Sequence, residues 1–304
     1  MALYNTTADM VGNTPLVRLG NLGFPEGLNV YAKLELANPS GSVKDRIGIA
    51  MIEKAERDGV LKPGGTIVAP TAGNTGLGIA FAALSKGYRT VFTVPDKFSE
   101  EKQTLIRALG AEIVNTARAG GMLEAREKAE AIRAGIPGAI TLEQFTDDAN
   151  PGIHYQTTGP EIYRDLDGAV DFFVAGAGSG GTFSGAARYL KEKLPGLRAI
   201  LADPVGSIIG GGEHGDYELE GIGGEFIADT MDVSLVDEVV KITDDDAFPT
   251  ARLLARREGI FAGSSSGAAV AAAKIFAERS GAKGNLVVVL PDRGDRYFSK
   301  NLYL

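Results

Sequence analysis

The segment TIVAPTAGNTGLGIAFAALSKGYRTVFTVP, residues 66–95, reads as strand, loop, helix and strand again. TIVAP and TVFTVP are short apolar runs typical of buried strands, and residues 76–87 between them carry a helical pattern. The same alternation extends outward. Strand-like runs recur at NVYAKLEL (29–36), AEIVNT (111–116), DFFVAG (171–176), RAILADP (198–204) and NLVVVLPD (285–292), with helical patterns over 43–58, 99–109 and 122–134. Such alternation predicts βαβ units around mainly parallel sheets, an α/β fold. With 304 residues, two lobes with a cleft are expected. In sheets of this kind ligands bind beyond the carboxyl ends of strands, so loops between a strand and the following helix are where chemistry is sought.

Composition narrows the function classes. The formal charge is −8 and there is no dense Lys/Arg run, which argues against a nucleic-acid or anionic-membrane binder. The chain has no cysteine and only two histidines, His154 and His214. It therefore has no disulfide framework and no thiolate nucleophile, and zinc catalysis is not expected, nor any metal site. No secretory leader or membrane-spanning run is seen, so a cytoplasmic location is expected.

Four loops could carry chemistry. AGAGSGGTFSG (175–185) follows a strand and opens a helix, offering backbone N–H groups and a positive helix end to a phosphate. Its Gly176, Gly178 and Gly181 also satisfy G-x-G-x-x-G, and Asp203 closes the next strand where a ribose-binding acid would stand, so a dinucleotide reading competes. TAGNTG (71–76) combines the Thr71 and Thr75 hydroxyls with the Asn74 amide, a set that suits a carboxylate or simply a capped helix start. FAGSSSGAA (261–269) places three serines ahead of an alanine-rich helix.

The fourth loop is NPSGSVKDR (38–46). Ser42 and Asp45 match a capping pattern, and Val43, Ile47, Ala50, Met51 and Ala55 recur at helical spacing, so Lys44 should lie in a first helical turn. A cation there faces the positive end of the helix dipole, which with some burial favours the neutral, nucleophilic amine. The Walker A spacing is absent. An activated lysine, a phosphate cradle, a carboxylate loop and a serine cluster together match what pyridoxal phosphate and an amino-acid substrate require. The irregular, glycine-rich stretch 206–226 is expected to pack on a site or move over one.

Ordered motifs along essentially the whole chain resemble the cysteine synthase and cystathionine β-synthase family of fold-type II pyridoxal-phosphate enzymes. They run from VGNTPLVRL through NPSGSVKDR, PTAGNTG, KGYRTVFTVPDKFSEEKQTLIRALGAEIV, QFTDDANP, GAGSGGTFSG, EGIGGEFI and AGSSSGAAVAAA to LPDRGDRYFS. The resemblance implies two open, twisted, mainly parallel sheets flanked by helices, as in the tryptophan synthase β-subunit, with the cofactor in the cleft between domains. It implies a larger cofactor-binding domain of residues 1–40 and 146–304, and a smaller mobile domain of 41–145. Lys44 would be the Schiff-base residue and the base for the substrate's Cα proton. Asn74 would bond the cofactor's phenolic oxygen, Gly178, Ser179, Gly180, Gly181 and Thr182 would hold its phosphate, displacing the dinucleotide reading, and Ser265 would partner its ring nitrogen. Thr71, Ala72, Gly73, Thr75, Gln144 and Gly221 would line the substrate.

The implied reaction is β-replacement on an activated L-serine through an aminoacrylate. The activated substrate is O-acetylserine or serine, and the thiol is homocysteine, giving cystathionine, or sulfide, giving cysteine. A homodimer is implied too. Two departures stand out: Ala72 occupies a position where serine is usual, and Gly224 one where an aromatic often follows EGIG. VPDKFSEEKQTLIRALGAEIV and YELEGIG look more like cystathionine β-synthases, so the expectation leans to an O-acetylserine-dependent enzyme of that branch. Neither a haem-binding extension nor a regulatory tandem is seen, so neither form of regulation is expected. A non-catalytic binding module on the same fold is the rival reading.

Overall fold

A computed structural model describes residues 3–71, 73–96 and 99–304. The chain begins with strands β1 (Leu16–Arg18) and β2 (Leu28–Leu34). Next come α1 (Lys44–Arg57), β3 (Thr66–Pro70), α2 (Asn74–Lys86), β4 (Arg89–Pro95), α3 (Glu100–Ala108), β5 (Glu112–Thr116), α4 (Gly121–Gly135) and β6 (Ile140–Thr141). The second half holds α5 (Ala149–Ile153), a π turn over His154–Thr158, α6 (Gly159–Asp165), β7 (Phe172–Gly176), α7 (Gly181–Lys193) and β8 (Arg198–Pro204). It ends with β9 (Glu238–Ile242), α8 (Asp244–Leu253), α9 (Ser264–Ser280) and β10 (Gly284–Leu290). Among the described residues no helix is long and apolar enough to cross a membrane.

Two compact units result, one from residues up to Val11 with Asn38–Ala149, the other from Gly12–Ala37 with Asn150–Leu304. The first holds a wholly parallel four-stranded sheet, β5-β4-β3-β6. The second holds a six-stranded sheet, β1-β2-β10-β7-β8-β9, parallel except for the antiparallel edge strand β1. This is the α/β class that the alternation predicts. Central strands are buried along nearly their whole length, as in β8 and β10, because helices cover both faces and every side chain meets an apolar layer. Strand β9 and the short β1 and β6 are absent from the sequence reading. They lie at sheet edges, where two to five residues with one covered face leave little apolar signal.

Helix starts differ from expectation in two places. Helix α2 begins at Asn74 rather than 76, so Asn74 and Thr75 lie inside its first turn. At α1 the Ser42–Asp45 capping box does not form: the N-cap is Val43, with no side-chain cap bond. Ser42 Oγ instead accepts the Lys44 N–H at 3.3 Å, while the buried Asp45 carboxylate accepts the Ser40 N–H at 2.6 Å and the Ser40 hydroxyl. The tight turn needs Gly41 at φ +87°, where its N–H reaches Asn38 O at 2.8 Å. Asp45 thus staples the turn before the helix instead of capping the helix itself.

In the second unit, Tyr303 donates to Ala262 O at 2.7 Å and stacks edge-on against Phe261. The buried Tyr297 donates to Asp292 at 2.5 Å. Burial, then the Asp292 and Asp295 charges, push the Tyr303 phenol up to about 12, and burial, then the Asp292 charge and hydrogen bond, hold the Tyr297 phenol well above the ordinary tyrosine value.

Two outcomes follow from this packing. Helices α1 and α2 cross where a Cβ at Gly48 would overlap the Gly78 carbonyl and one at Gly78 would overlap the Lys44 carbonyl. Gly78→Ala should therefore lower stability by about 1–3 kcal/mol in chemical denaturation, and a wild-type midpoint would contradict this crossing. A phenol whose pKa is higher in the folded state favours folding below its unfolded value of about 10 and loses that contribution as pH rises through the folded value. Tyrosinate absorbance should thus show a late component near pH 12 that Tyr303→Phe removes.

Candidate active site

In the first unit, Lys44 is half-buried at the opening position of α1. The glycine crossing presses its carbonyl onto Gly78, one turn after Asn74. The amine-bearing residue and the start of α2 are therefore registered through backbone, without relying on side-chain packing. Gly73 is the N-cap of α2, with extended backbone and open space where a Cβ would project. Thr75 is buried and donates its hydroxyl to Gln144 Oε1 at 2.7 Å. That bond fixes the plane of the Gln144 amide and the direction in which its NH₂ donates. Thr71 is buried behind the same turn, its methyl and carbonyl facing Gly76. Lys44, Thr71, Gly73, Asn74, Thr75 and Gln144 thus belong to one unit and to connected elements, whereas Ala72 lies outside the described residues.

In the second unit, β7 leads through Gly176–Gly180 into α7. Gly180 has φ +81°, and a Cβ there would overlap Met231. Each loop group has a holder: Asn150 Nδ2 donates to Ser179 Oγ at 3.0 Å, the Thr230 hydroxyl donates to Ser179 O, and His154 Nε2 lies 3.1 Å from Thr182 Oγ1. The His154 ring is fully buried, with Nδ1 2.8 Å from Thr158 Oγ1. Gly181 must lack a side chain because Asn150 fills the space. The first N–H groups of a helix have no intrahelical acceptor, so this turn with its Ser179 and Thr182 hydroxyls forms a donor set suited to a phosphate.

The 206–226 stretch packs against that loop. The Gly223 N–H donates to Ala177 O at 2.7 Å, Ile222 fills the space beside Gly176, and the Gly221 carbonyl borders Gly178. Immediately before Gly221, the Glu220 N–H donates to Ser264 Oγ at 3.4 Å, so the same strip runs beside the first turn of α9, where Ser265 is buried. Gly178–Thr182, Gly221 and Ser265 are thereby gathered in this unit. Asp203, the acid that the dinucleotide reading requires, is fully buried. Its Oδ2 accepts from Lys241 Nζ at 2.6 Å and from the Gly210 N–H at 3.0 Å, so it anchors the irregular stretch and is spent on structure.

Sequence reasoning passed over Asn150, Thr230 and Met231 and gave His154 no role. No spacing rule connects residue 150 to 179 or 231 to 180; only the folded chain brings them into contact. A polar residue inside ANPGIHYQTTG was the available signal.

Chemically, the first unit offers a primary amine with side-chain amides and hydroxyls near it, and the second offers a helix end suited to a phosphate and a buried neutral hydroxyl. A sequence profile described as pyridoxal-phosphate dependent enzyme matches residues 7–292. The O-acetylserine dependent cystathionine beta-synthase of Bacillus subtilis (strain 168) is 48% identical over 303 residues, covering 100% of this chain and 99% of that protein. The cysteine synthase of Staphylococcus aureus (strain Mu50 / ATCC 700699) is 45% identical over 296 residues, covering 97% and 95%. Among solved structures, the O-acetylserine dependent cystathionine beta-synthase from Helicobacter pylori superposes with a TM-score of 0.93 at 42% identity, covering 100% of both chains.

The geometry of the glycine loop yields a direct check. Gly180→Ala combines a left-handed φ with an overlap on Met231, so it should cost at least about 1 kcal/mol and speed hydrogen exchange across 178–182. Unchanged exchange there would show that the loop tolerates a side chain.

Proposed function

From the premise that the chain belongs to the pyridoxal-phosphate dependent enzyme family, in its cysteine synthase and cystathionine β-synthase group, we propose that it performs β-replacement on O-acetyl-L-serine. Homocysteine is the preferred thiol and gives cystathionine; sulfide gives cysteine. The observation that carries this reading is the backbone crossing that seats Lys44 against Gly78, beside the helix start bearing Asn74 and the Thr75–Gln144 pair. Kinship to proteins named for O-acetylserine-dependent cystathionine synthesis supports the choice of substrates.

The residues fit the cofactor by donor chemistry. Lys44 would hold its aldehyde carbon, the Gly178–Thr182 turn its phosphate, Asn74 its phenolic oxygen and Ser265 its ring nitrogen. Bound pyridoxal phosphate supplies the electron sink that makes the substrate's Cα proton removable. Lys44 Nζ takes that proton as acetate departs from the β-carbon; the thiol, having lost its proton, adds there, and Lys44 returns the proton to Cα. Thr71, Gly73, Thr75, Gln144 and, by its place in the loop, Ala72 take the substrate's carboxylate. With the Gln144 carbonyl occupied by Thr75, its amide presents a donor to that anion. Ser265 is neutral, so it does not stabilise a charged ring nitrogen as a carboxylate would, and elimination is favoured over transamination. Gly221, whose carbonyl borders the phosphate turn at Gly178, lines the substrate.

The reading includes a cytoplasmic homodimer, and residues 41–145 as the mobile domain with 1–40 and 146–304 as the larger one. Product analysis should show cystathionine from O-acetylserine and homocysteine faster than from serine, and cysteine from sulfide more slowly. A dominant sulfide reaction would make the enzyme a cysteine synthase, and faster turnover of serine would make it a serine-dependent cystathionine β-synthase. Lys44→Ala should lower kcat by at least about 10³-fold while leaving the folded protein intact, and retention of turnover would remove Lys44 from the mechanism.

A further inference from the structure

The loop that carries Gln144 spans residues 142–148, between β6 and α5. It follows β6, an edge strand only two residues long that pairs with β3. It then turns tightly, with the Thr146 and Asp147 N–H groups both donating to Glu143 O, at 3.4 and 3.0 Å. Its middle is tied to α2 by the Thr75–Gln144 bond. Its far end is tied to α1: Lys54 Nζ lies 3.0 Å from Asp147 Oδ1 and 2.6 Å from Asp148 Oδ1. Asp147 Oδ1 also accepts the Ala149 N–H at 2.9 Å, so one carboxylate joins the loop's exit, the start of α5 and α1.

These ties close a triangle inside the first unit. Helices α1 and α2 are registered by Gly48 and Gly78, α2 and the loop by Thr75 and Gln144, and the loop and α1 by Lys54. Two sides are already used by the proposed chemistry. The third is not; it holds the loop's exit, as the Arg126–Glu143 contact at 3.5 Å holds its entry.

We propose that Lys54 is a positioning residue for the substrate's carboxylate, acting through Asp147 and Asp148 on the orientation of Gln144. The inference rests on the carboxylate role proposed for Gln144 above. The tie is ionised throughout the neutral range: the Asp148 hydrogen bond, with that of Asp147, raises Lys54 above the ordinary lysine range, and Lys54 holds the Asp148 carboxyl below its usual value. Asp148 is 84% exposed and Asp147 17%, so Asp147 is the partner that transmits position. Pairs this open to water contribute little to global stability. Small displacements of a group that orients a substrate, by contrast, strongly reduce its effectiveness.

The test uses the holoenzyme as wild type, Lys54→Met, Lys54→Arg and Asp147→Asn. Each is titrated with O-acetyl-L-serine and with L-serine by the change in cofactor absorbance, and KM is measured for the amino acid and for homocysteine. Lys54→Met should weaken amino-acid binding about 10-fold, with cofactor content, melting temperature and homocysteine KM unchanged. Asp147→Asn should follow it, and Lys54→Arg should restore binding to within about threefold, since a guanidinium can span both carboxylates. A Lys54→Met protein that titrates like wild type, a loss shared equally by homocysteine and cofactor, or failure of arginine to rescue would each overturn the positioning role. A wild-type protein whose absorbance responds to neither amino acid would instead overturn the proposed function.

Discussion

Helices α1 and α2 approach so closely at Gly48 and Gly78 that a single added carbon on either would strike the other's backbone. This contact is short-ranged and steric, so it tolerates almost no sliding. Because α1 starts at Lys44 and α2 at Asn74, fixing the crossing fixes both helix starts relative to each other. The amine, the amide and, through Thr75, the Gln144 loop inherit their geometry from it. Side-chain hydrogen bonds then refine an arrangement that backbone packing has already set.

The second unit solves a similar problem by different means. Its phosphate-type loop needs a left-handed glycine, and the space a side chain would occupy is filled by Met231 and Asn150. The Ser179 and Thr182 hydroxyls are oriented by Asn150 and His154, and the Ser179 carbonyl is held by the Thr230 hydroxyl, all three holders being buried. Buried polar contacts of this kind keep donors in place because breaking one strands its partner away from water. Asp203 performs the same service for the neighbouring irregular stretch, with Lys241 as counter-ion and Gly210 as backbone donor.

Much of this was legible from residue order. Strands β3, β4, β7, β8 and β10 announce themselves as apolar runs because both of their faces are covered, and TAGNTG and GAGSGGTFSG mark their own loops by composition. What was not legible depends on contacts far apart in sequence. Asp45 looked like a capping residue for α1 and instead binds Ser40, since Gly41 turns the chain sharply enough to bring that serine within reach. The edge strand β9 escaped notice because Glu238 and Lys241 interrupt its apolar pattern, and Lys241 in fact serves Asp203. Lys54 carries no signal of its own in the sequence, and only the path of residues 143–148 brings Asp147 and Asp148 to it.

The close helix crossing also separates two kinds of constraint along one segment. Lys44 is held by its carbonyl, so the position of its backbone is indifferent to what its side chain is. Gly78 has no chemistry of its own, yet its lack of a side chain is what allows that position to exist. A library randomised at residue 44 would accordingly return folded proteins, whereas one randomised at residue 78 would lose the scaffold first. Evolution of new reactions on this framework has room to exchange reactive groups at helix starts, provided the glycines beneath them stay silent.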